Sequence, residues 1–429
     1  MLSAYLVIIF CLYIFKEAFE YLLLYLNLGH MSKSGAAVPP EFEGKMDEGL
    51  LKKTLDYEAE KTSFSFISSI FGNIVTILFI FGGLLNIYNS WLTSLQLSFI
   101  VSGWLFFLLL SYGNEVLSIP FGLYSTFKIE KKYGFNTMIP RLWISDLLKS
   151  LVLSTIIISV VTLAGLALIQ WSPQCWWFWV WGFLLCFGIF IMYISPYVIE
   201  PLFNKFTPVE DESLKKGVMD ITEKAGIRVG RILRVDASKR SRHTNAYFTG
   251  IGKTKRIVLY DTLLEGMDHN EILSVLAHEI GHWKKRHLLK TLALIEGFSL
   301  AGLYLAYRLV QGDFLITLFH IGQKTFFAKF VLLAFLAGIF SLLLNPLMNA
   351  LSRRHEREAD RISYELTGNA KSMMSAFVKL SKENLSNLFP HPLYVTMYYS
   401  HPPILERIRY IREMEERKEH VTNMLPPEI

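Results

Sequence analysis

Long apolar stretches without charges constrain this chain more than any other feature of its sequence. Residues 64–88 and 175–199 are two uncharged runs of 25, and shorter charge-free runs occupy 96–114, 151–172 and 330–352. As a helix, a run of 25 residues is about 37 Å long, enough to cross the roughly 30 Å hydrocarbon layer of a bilayer. The composition, 52% hydrophobic with a mean hydropathy of +0.34, also exceeds what a soluble core requires. A mainly α, multi-pass protein in contact with the lipid bilayer is therefore predicted.

Two further apolar segments contain charges and bring the predicted number of transmembrane helices to seven. The first span, about 1–26, and the sixth, about 288–310, carry three carboxylates: Glu17, Glu20 and Glu296. A signal peptide is the competing interpretation of the N-terminus, but a basic segment and a small-residue cleavage site are missing there. Carboxylates are costly against lipid, so these three are expected to face protein or a water-filled interior.

Basic residues alternate between the connections. The Lys-rich and Arg-rich connections are 27–62, 120–143, 200–287 and the tail after 352, whereas the other connections hold a single basic residue, Lys324. The positive-inside rule then places the N-terminus outside and both 200–287 and 353–429 on the cytoplasmic side. Orientation in the membrane also accounts for the net charge of +6, so no nucleic-acid partner is expected.

The sequence HEIGH at 278–282 is a candidate zinc site. Positions i and i+4 of a helix share one face, so His278 and His282 can bind the same ion. Glu279 is placed to take a proton from a metal-activated water, which points to hydrolysis. The flanking sequence has helical apolar spacing and no proline. Two surface histidines on an amphipathic helix are the alternative interpretation of the motif alone.

The segment LSRRHEREAD at 351–360 offers a third ligand. Glu356 and Asp360 are spaced i, i+4 and share a face, whereas Glu358 points away from it. Glu356 is therefore the predicted ligand, and Asp360 is predicted to accept the other N–H of a ligating imidazole. A solvated helix with salt bridges to the neighbouring arginines is the alternative.

Between the fifth and sixth spans lies a stretch long enough for a small α+β subdomain. It contains a predicted polar helix at 210–225, a strand at 231–235 and a hairpin at 245–260 around a turn with glycine. The hairpin edge could hold an extended substrate by strand addition, or it could merely complete a small sheet. The candidate substrate-binding residues are Asn245, Ala246, Tyr247 and Phe248.

Near the C-terminus, YYSHPPILERI at 398–408 supplies His401 and Arg407 beside a proline-imposed turn. Either side chain could stabilise an oxyanion or hold a substrate carbonyl, as amide hydrolysis requires. A helix-initiating turn is the alternative, because Pro402 and Pro403 suit the first turn of a helix.

Motifs spread over nearly the whole length resemble the Ste24-type family, the CAAX prenyl protease 1 family of integral-membrane zinc metalloproteases. They are VPPEF (38–42), KTSFSF (61–66), FNKFTP (203–208), SKRSRHTNAYF (238–248), RIVLYDTLL (256–264), HEIGHW (278–283), LSRRHEREAD (351–360) and YSHPP (399–403). The resemblance implies seven transmembrane helices forming a barrel around a large water-filled chamber, with the active site facing its interior. One departure is GMDHN at 266–270, where some eukaryotic members carry a long charged insertion; it fits a prokaryotic or simple eukaryotic member.

The resemblance also assigns roles to residues. It implies one zinc ion per chain on His278, His282 and Glu356, with Glu279 as general base. Further site roles follow for Asn245 at the substrate backbone, and for His401, Arg407 and Asp360 around the site. The substrate is expected to be a peptide or protein, with or without a prenyl group, and the enzyme to act as a monomer. An intramembrane-cleaving site-2-type zinc protease is the nearest rival, and a transporter with an accidental HExxH is a more distant one.

Four segments are predicted along the chain. Residues 1–199 hold five membrane helices, 200–287 the zinc-protease subdomain, 288–352 two more membrane helices, and 353–429 the third-ligand helix with the C-terminal segment. The expected location is the plasma (inner) membrane for a prokaryotic member and the endoplasmic reticulum membrane for a eukaryotic one.

Overall fold

The computed structural model describes residues 2–249 and 256–424, and most of them are helical. From the N-terminus the helices are α1 Leu2–Ser34, α2 Glu48–Ile80, α3 Leu84–Ser94, α4 Phe99–Tyr124, α5 Lys131–Tyr133, α6 Pro140–Trp171, α7 Trp176–Ile194, α8 Glu200–Phe203 and α9 Glu212–Lys224. They continue as α10 Asp261–Gly266, α11 His269–Lys284, α12 His287–Val310, α13 Phe314–Leu318, α14 Phe326–Thr367, α15 Ala370–Glu383, α16 Pro392–Tyr398 and α17 Ile404–Met424. The strands are β1 Phe206–Pro208, β2 Arg231–Val235, β3 Ala246–Thr249 and β4 Arg256–Tyr260.

Among the described residues, six helical segments are long and apolar enough to cross a membrane. They are Glu48–Ile80, Phe99–Tyr133, Pro140–Trp171, Trp176–Phe203, His287–Val310 and Phe326–Thr367, and they overlap the second to seventh predicted spans. The first predicted span lies in α1, which has 33 residues. Glu17 of α1 is buried and faces α2, where its carboxylate accepts a hydrogen bond from Asn73 at 2.6 Å. This carboxylate therefore faces protein, as expected.

The predicted span at 64–88 is not one helix. Helix α2 ends at Ile80 and α3 begins at Leu84. Gly83 between them has φ +84°, a left-handed conformation that interrupts a right-handed helix and that glycine adopts without steric cost. Apolar composition alone could not reveal this break, because both sides of it are equally hydrophobic.

The long helices form a closed ring. Each contacts the next in the order α1, α2, α3, α4, α6, α7, α12 and α14, and α14 returns to α1. In the most apolar 18 residues of each candidate span, between 0% and 22% of the residues are buried within the protein. A solid bundle would bury one face of every helix, so this low burial indicates walls that are accessible on two sides. The ring corresponds to the expected barrel around a chamber.

Within the described residues the strands form one sheet in the order β1-β2-β4-β3. Strand β2 has the predicted bounds, and β3 and β4 pair antiparallel as the predicted hairpin requires. The hairpin turn at 250–255 lies outside the described residues. Strand β1 and the parallel pairing of β2 with β4 were not predicted, since a three-residue strand has too little pattern to detect. Strand β3 is left at one edge of the sheet.

Helices α11 and α14 pack together beneath the sheet and carry the candidate ligands. Their contact is held by a buried hydrogen bond of 2.7 Å from the Ser363 hydroxyl to the carbonyl oxygen of Ser274. On its other face α11 adds Ile272 and Leu276 to the apolar core of the subdomain. Because α14 runs unbroken for 42 residues, the same rod spans the membrane and reaches this core.

Candidate active site

Helix α11 begins at a capping box and carries the HEIGH motif. The Asp268 side chain accepts the backbone N–H of Glu271, and the Glu271 carboxylate accepts the backbone N–H of Asp268. The helix then continues without proline to Lys284. His278 and His282 therefore lie one turn apart on the same face, and their Nε2 atoms are separated by 3.2 Å.

Helix α14 brings Glu356 to the two histidines. Its Oε2 lies 3.2 Å from Nε2 of His278, and its Oε1 lies 3.2 Å from Nε2 of His282. The three side chains each offer one ligand atom, and these atoms lie within 4.8 Å of one another. Glu358 is not part of this group. The ligand set expected from the sequence is thus assembled from two helices, and Glu356 follows His282 by 74 positions in the chain.

Neighbouring groups leave the Nε2 atoms of both histidines available for a cation. Nδ1 of His278 lies 2.7 Å from the Asp360 carboxylate, and Nδ1 of His282 lies 3.0 Å from Nδ1 of His287. Protons on Nδ1 of both ligands satisfy these contacts and direct the Nε2 lone pairs at Glu356. Glu356 Oε2 is buried without a hydrogen-bond donor among the described residues. Two Nε2 atoms and a buried carboxylate that converge in this way fit a divalent cation, and two imidazoles with one carboxylate are typical of catalytic zinc.

Asp360 and Arg407 support the first candidate ligand, His278. The buried Asp360 carboxylate accepts hydrogen bonds from Nε and Nη2 of Arg407 at 2.9 and 2.6 Å. The guanidinium also lies 4.2 Å from the ring centroid of Phe377, which fixes its plane. Burial lowers the pKa of His278, but the hydrogen bonds and charges of Asp360 and Glu356 outweigh it and raise the pKa to about 9. The ligand therefore lies in a field that favours positive charge.

His287 supports the second candidate ligand, His282, and was not predicted from the sequence. Its Nδ1 meets His282, and its Nε2 lies 3.2 Å from the Glu358 carboxylate. Its ring stacks on His355 at 4.0 Å. Arg286 adopts φ +55°, so the chain turns sharply between α11 and α12 and returns His287 to His282. A histidine five residues after the motif was the only signal in the sequence, and helical spacing does not place it there.

Replacing His287 by alanine is expected to lower the zinc affinity about 10- to 100-fold, the usual cost of losing a group that orients a metal ligand. Competition with a chromogenic chelator on the purified protein measures this change. His269→Ala is the matched control, because His269 begins the same helix but pairs with Asp211 at an exposed position. Equal zinc affinity in the two variants would contradict the assigned role.

Glu279 and His401 lie beside the candidate metal position, and neither is one of the three candidate ligands. The Glu279 carboxylate makes no hydrogen bond to another described residue. Burial raises the pKa of Glu279, and the charges of His278 and His282 offset this only in part. His401 keeps 59% of its side chain exposed, with Nε2 3.3 Å from Oε1 of Glu356. An unpaired carboxylate and an accessible imidazole are therefore both within the site.

The candidate substrate-binding residues lie at the start of the edge strand β3. Asn245 is exposed, and its side chain accepts the backbone N–H of Ala246. Tyr247 donates a hydrogen bond of 2.9 Å to Glu200, and Phe248 packs against α11. The last two side chains anchor the strand, so its outer backbone edge and Asn245 remain for an extended peptide.

Gly281 allows α14 to pack directly on α11. A Cβ atom at this position would lie 2.9 Å from the Cα and 3.0 Å from the carbonyl oxygen of Ala359. These are backbone atoms, which cannot rotate away as a flexible side chain could. The glycine inside HEIGH therefore admits the ligand-bearing helix.

Gly281→Ala is expected to push the two helices apart and to cost about 1–3 kcal/mol of stability, the range for overpacking. The distance from His278 to Glu356 would widen, so zinc per chain is expected to fall as well. Thermal unfolding and elemental analysis measure the two effects. Gly297→Ala in α12 is the control, because a Cβ there meets nothing within 4 Å. Unchanged stability and zinc in Gly281→Ala would refute the packing argument.

Taken together, the fold and the site define a class of protein. Two histidines from a HExxH helix meet a glutamate from a helix that crosses the membrane, beside an unpaired carboxylate, in a chain whose long apolar helices contact one another in a ring. This combination is that of a membrane zinc metalloprotease.

Family profiles match nearly the whole chain. Residues 27–205 match the family described as CAAX prenyl protease N-terminal, five membrane helices, and residues 208–415 match Peptidase family M48. The chain belongs to the Ste24-type CAAX prenyl protease family of M48 metalloproteases. The resemblance seen in its motifs is thereby confirmed.

Individual relatives agree in length and fold. CAAX prenyl protease 1 of Saccharomyces cerevisiae is 32% identical over 94% of both chains, and an uncharacterised metalloprotease of Bacillus subtilis is 32% identical over 73% of this chain and 74% of its own. The crystal structure of S. mikatae Ste24p superposes with a TM-score of 0.87 at 31% identity, covering 95% of this chain and 98% of that chain. The site-2-type protease and the transporter are not favoured by any of these similarities.

Proposed function

We propose that this chain hydrolyses peptide bonds with one zinc ion held by His278, His282 and Glu356. The convergence of three ligand atoms beside the Glu279 carboxylate, which makes no hydrogen bond to another described residue, carries this proposal. When bound, the ion supplies Lewis-acid polarisation of the scissile carbonyl and lowers the pKa of water to about 7.

Glu279 acts as the general base and then as the general acid. It takes a proton from the attacking water and delivers it to the departing amine, which makes the leaving group neutral. Its raised pKa suits the first step, because a more basic carboxylate takes the proton of the attacking water more readily, and the protonated acid then remains available to the amine. His401 is exposed beside Glu356 and donates a hydrogen bond to the oxyanion that develops on the carbonyl.

Asp360 and Arg407 are positioning residues rather than groups that touch the substrate. Both bonded nitrogen atoms of Arg407 are directed at Asp360, which in turn holds Nδ1 of His278. Two of the three guanidinium nitrogen atoms are thus engaged by Asp360. The proposed contribution of Arg407 is to keep the first ligand in one tautomer and one orientation.

Substrate binds in extended form along the outer edge of β3. The backbone of residues 246–249 offers unpaired N–H and C=O groups on that side of the sheet, and Asn245 is exposed at its end. A peptide added as a further strand gains main-chain hydrogen bonds irrespective of its side chains. The peptide is thereby held straight as it passes the site on the neighbouring α11.

The active-site segments 200–287 and 353–429 are proposed to face the cytoplasm. The chain is proposed to consist of four segments, 1–199, 200–287, 288–352 and 353–429, and to act as a monomer. The basic content of the connections supports this orientation. The membrane is the endoplasmic reticulum for a eukaryotic source and the plasma membrane for a prokaryotic one.

The substrate proposed is the C-terminal part of a prenylated protein, by analogy with relatives named CAAX prenyl protease 1. The test compares cleavage of a farnesylated CAAX peptide with that of its unmodified twin by the purified enzyme, with Glu279→Gln as the background control. A higher kcat/KM for the farnesylated peptide is expected. Equal rates for the two peptides would show that the prenyl group is not required. If the enzyme cleaved neither peptide, the proposed substrate class would be refuted.

A further inference from the structure

A large cavity lies on the side of the subdomain away from β3. Its volume is about 1590 Å³, and its walls come from β1, β2 and α9 on one side and from Lys149 of α6 and the segment 196–204 after α7 on the other. Lys149 of α6 and Pro196 directly after α7 mark the membrane side. None of the candidate ligands or catalytic residues lines it, so this cavity is separate from the zinc site.

The lining of the cavity is strongly basic. Seven lysine or arginine side chains and two carboxylates contribute to it. Four of the basic side chains are exposed and form no ion pair with other described residues: Lys205, Arg228, Arg231 and Lys239. Of the two acids, Asp236 already accepts the backbone N–H of Lys205 at 2.6 Å. Positive charge is therefore in excess here, and these four side chains carry charges that no ion pair with a described residue offsets.

Two arginines stand side by side in this wall. Arg231 of β2 and Arg256 of β4 are register partners in the parallel ladder, so their side chains project from the same face of the sheet. Like charges directly opposite each other destabilise a sheet. A bound anion between them would remove this cost.

Arg256 is the better ordered member of the pair. It is 9% exposed, its Nη1 donates to the carbonyl oxygen of Pro196 at 3.1 Å, and its guanidinium lies 3.9 Å from the ring centroid of Tyr197. Its Nη2 is buried with no hydrogen-bond partner among the described residues. A buried guanidinium with an unsatisfied donor in a basic cavity is the kind of group that binds phosphate.

The cavity also meets the membrane. The segment Trp176–Phe203 is a candidate span, and its last turns leave Tyr197, Val198 and Leu202 exposed beside the cavity. The adjoining α6 exposes Leu148 and Val152. An apolar surface continuous with a basic cavity suits an amphiphile better than a soluble anion.

We propose that this cavity binds the phosphate group of an anionic glycerophospholipid from the cytoplasmic leaflet. The phosphate lies between Arg228, Arg231 and Arg256, and the acyl chains follow the exposed apolar surface of α6 and α7. Basic pockets at the membrane boundary bind such headgroups through charge and bidentate hydrogen bonds. The bound lipid joins the subdomain to the membrane helices.

Native mass spectrometry of the purified full chain tests the proposal by titration with dioleoylphosphatidylglycerol or with dioleoylphosphatidylcholine. Preferential binding of phosphatidylglycerol is expected in the unmodified protein. In Arg228→Gln/Arg231→Gln the affinity for phosphatidylglycerol is expected to fall about tenfold or more, because each basic group near the membrane contributes comparably. Binding of phosphatidylcholine is expected to stay the same.

Lys216→Gln/Lys224→Gln is the matched control, because both lysines are exposed on α9 and lie outside the cavity lining. Their replacement removes two positive charges, as the arginine double variant does. An equal loss of phosphatidylglycerol in both double variants would overturn the proposal, as would equal binding of the two lipids. A further arm adds inorganic phosphate as competitor. Displacement of the lipid by an equal concentration of phosphate would assign the cavity to a soluble phosphate and refute the lipid.

Discussion

Glu279→Gln is expected to lower kcat for peptide hydrolysis by about 10²–10⁴-fold, the contribution typical of a general base. Glutamine keeps the size of the side chain but removes the atom that accepts the proton. Because Glu279 is not among the three candidate ligands, zinc per chain is expected to stay unchanged. A quenched fluorescent peptide measures the rate in purified protein, and elemental analysis measures the metal.

Glu265→Gln provides the matched control for this experiment. Glu265 is an exposed glutamate of α10 whose nearest charged partner is Arg234 at 3.5 Å. Its replacement is expected to leave both rate and zinc unchanged. Undiminished cleavage by Glu279→Gln at unchanged zinc content would exclude Glu279 as the base. Loss of zinc in that variant would assign the carboxylate to metal binding instead.

Glu356→Ala is expected to lower the zinc affinity by more than the roughly 10- to 100-fold that loss of an outer partner costs, and to abolish cleavage with it. The carboxylate is one of three ligands and is buried between the two imidazoles. Alanine leaves His278 and His282 facing a space without a counter-charge. Chelator competition and elemental analysis on the purified protein measure the change.

Two glutamates of the same helix are controls for Glu356. Glu365 is exposed and pairs with Arg361 at 2.7 Å, so Glu365→Ala is expected to retain full zinc affinity. Glu358 reaches the site only through His287, so Glu358→Ala is expected to have an effect between those of the other two. A wild-type zinc affinity in Glu356→Ala would eliminate it as a ligand.

The positions of the membrane helices were predicted from their apolar composition, but their breaks and continuations were not. Charge-free runs located the spans because apolar side chains are excluded from water whatever their neighbours. The same property hid the break at Gly83, since backbone conformation leaves no mark on hydropathy. It also hid the continuity of α14 from the span into the ligand helix, where the sequence changes from apolar to charged.

Prediction of the site depended on spacing within single helices. HExxH and the Glu356–Asp360 pair each lie on one helical face, so periodicity alone selected them. His287 escaped because a left-handed residue at Arg286 redirects the chain, and the Arg407 contact with Asp360 joins residues 47 positions apart. Such contacts arise from packing between elements, which local periodicity does not encode.

The sequence by itself determined the membrane-spanning composition, the candidate metal-binding motif, the third candidate ligand and the central strands of the subdomain. Each of these follows from a local property: hydropathy, a period of 3.6 or 2, or residue chemistry. The tertiary structure alone decided that the helices close into a hollow ring and that Gly281 brings α14 against α11. It also placed His287 beside His282 and brought Arg231 and Arg256 together in the wall of a cavity at the membrane boundary. These features depend on how distant segments meet, and that is set by packing of the whole chain.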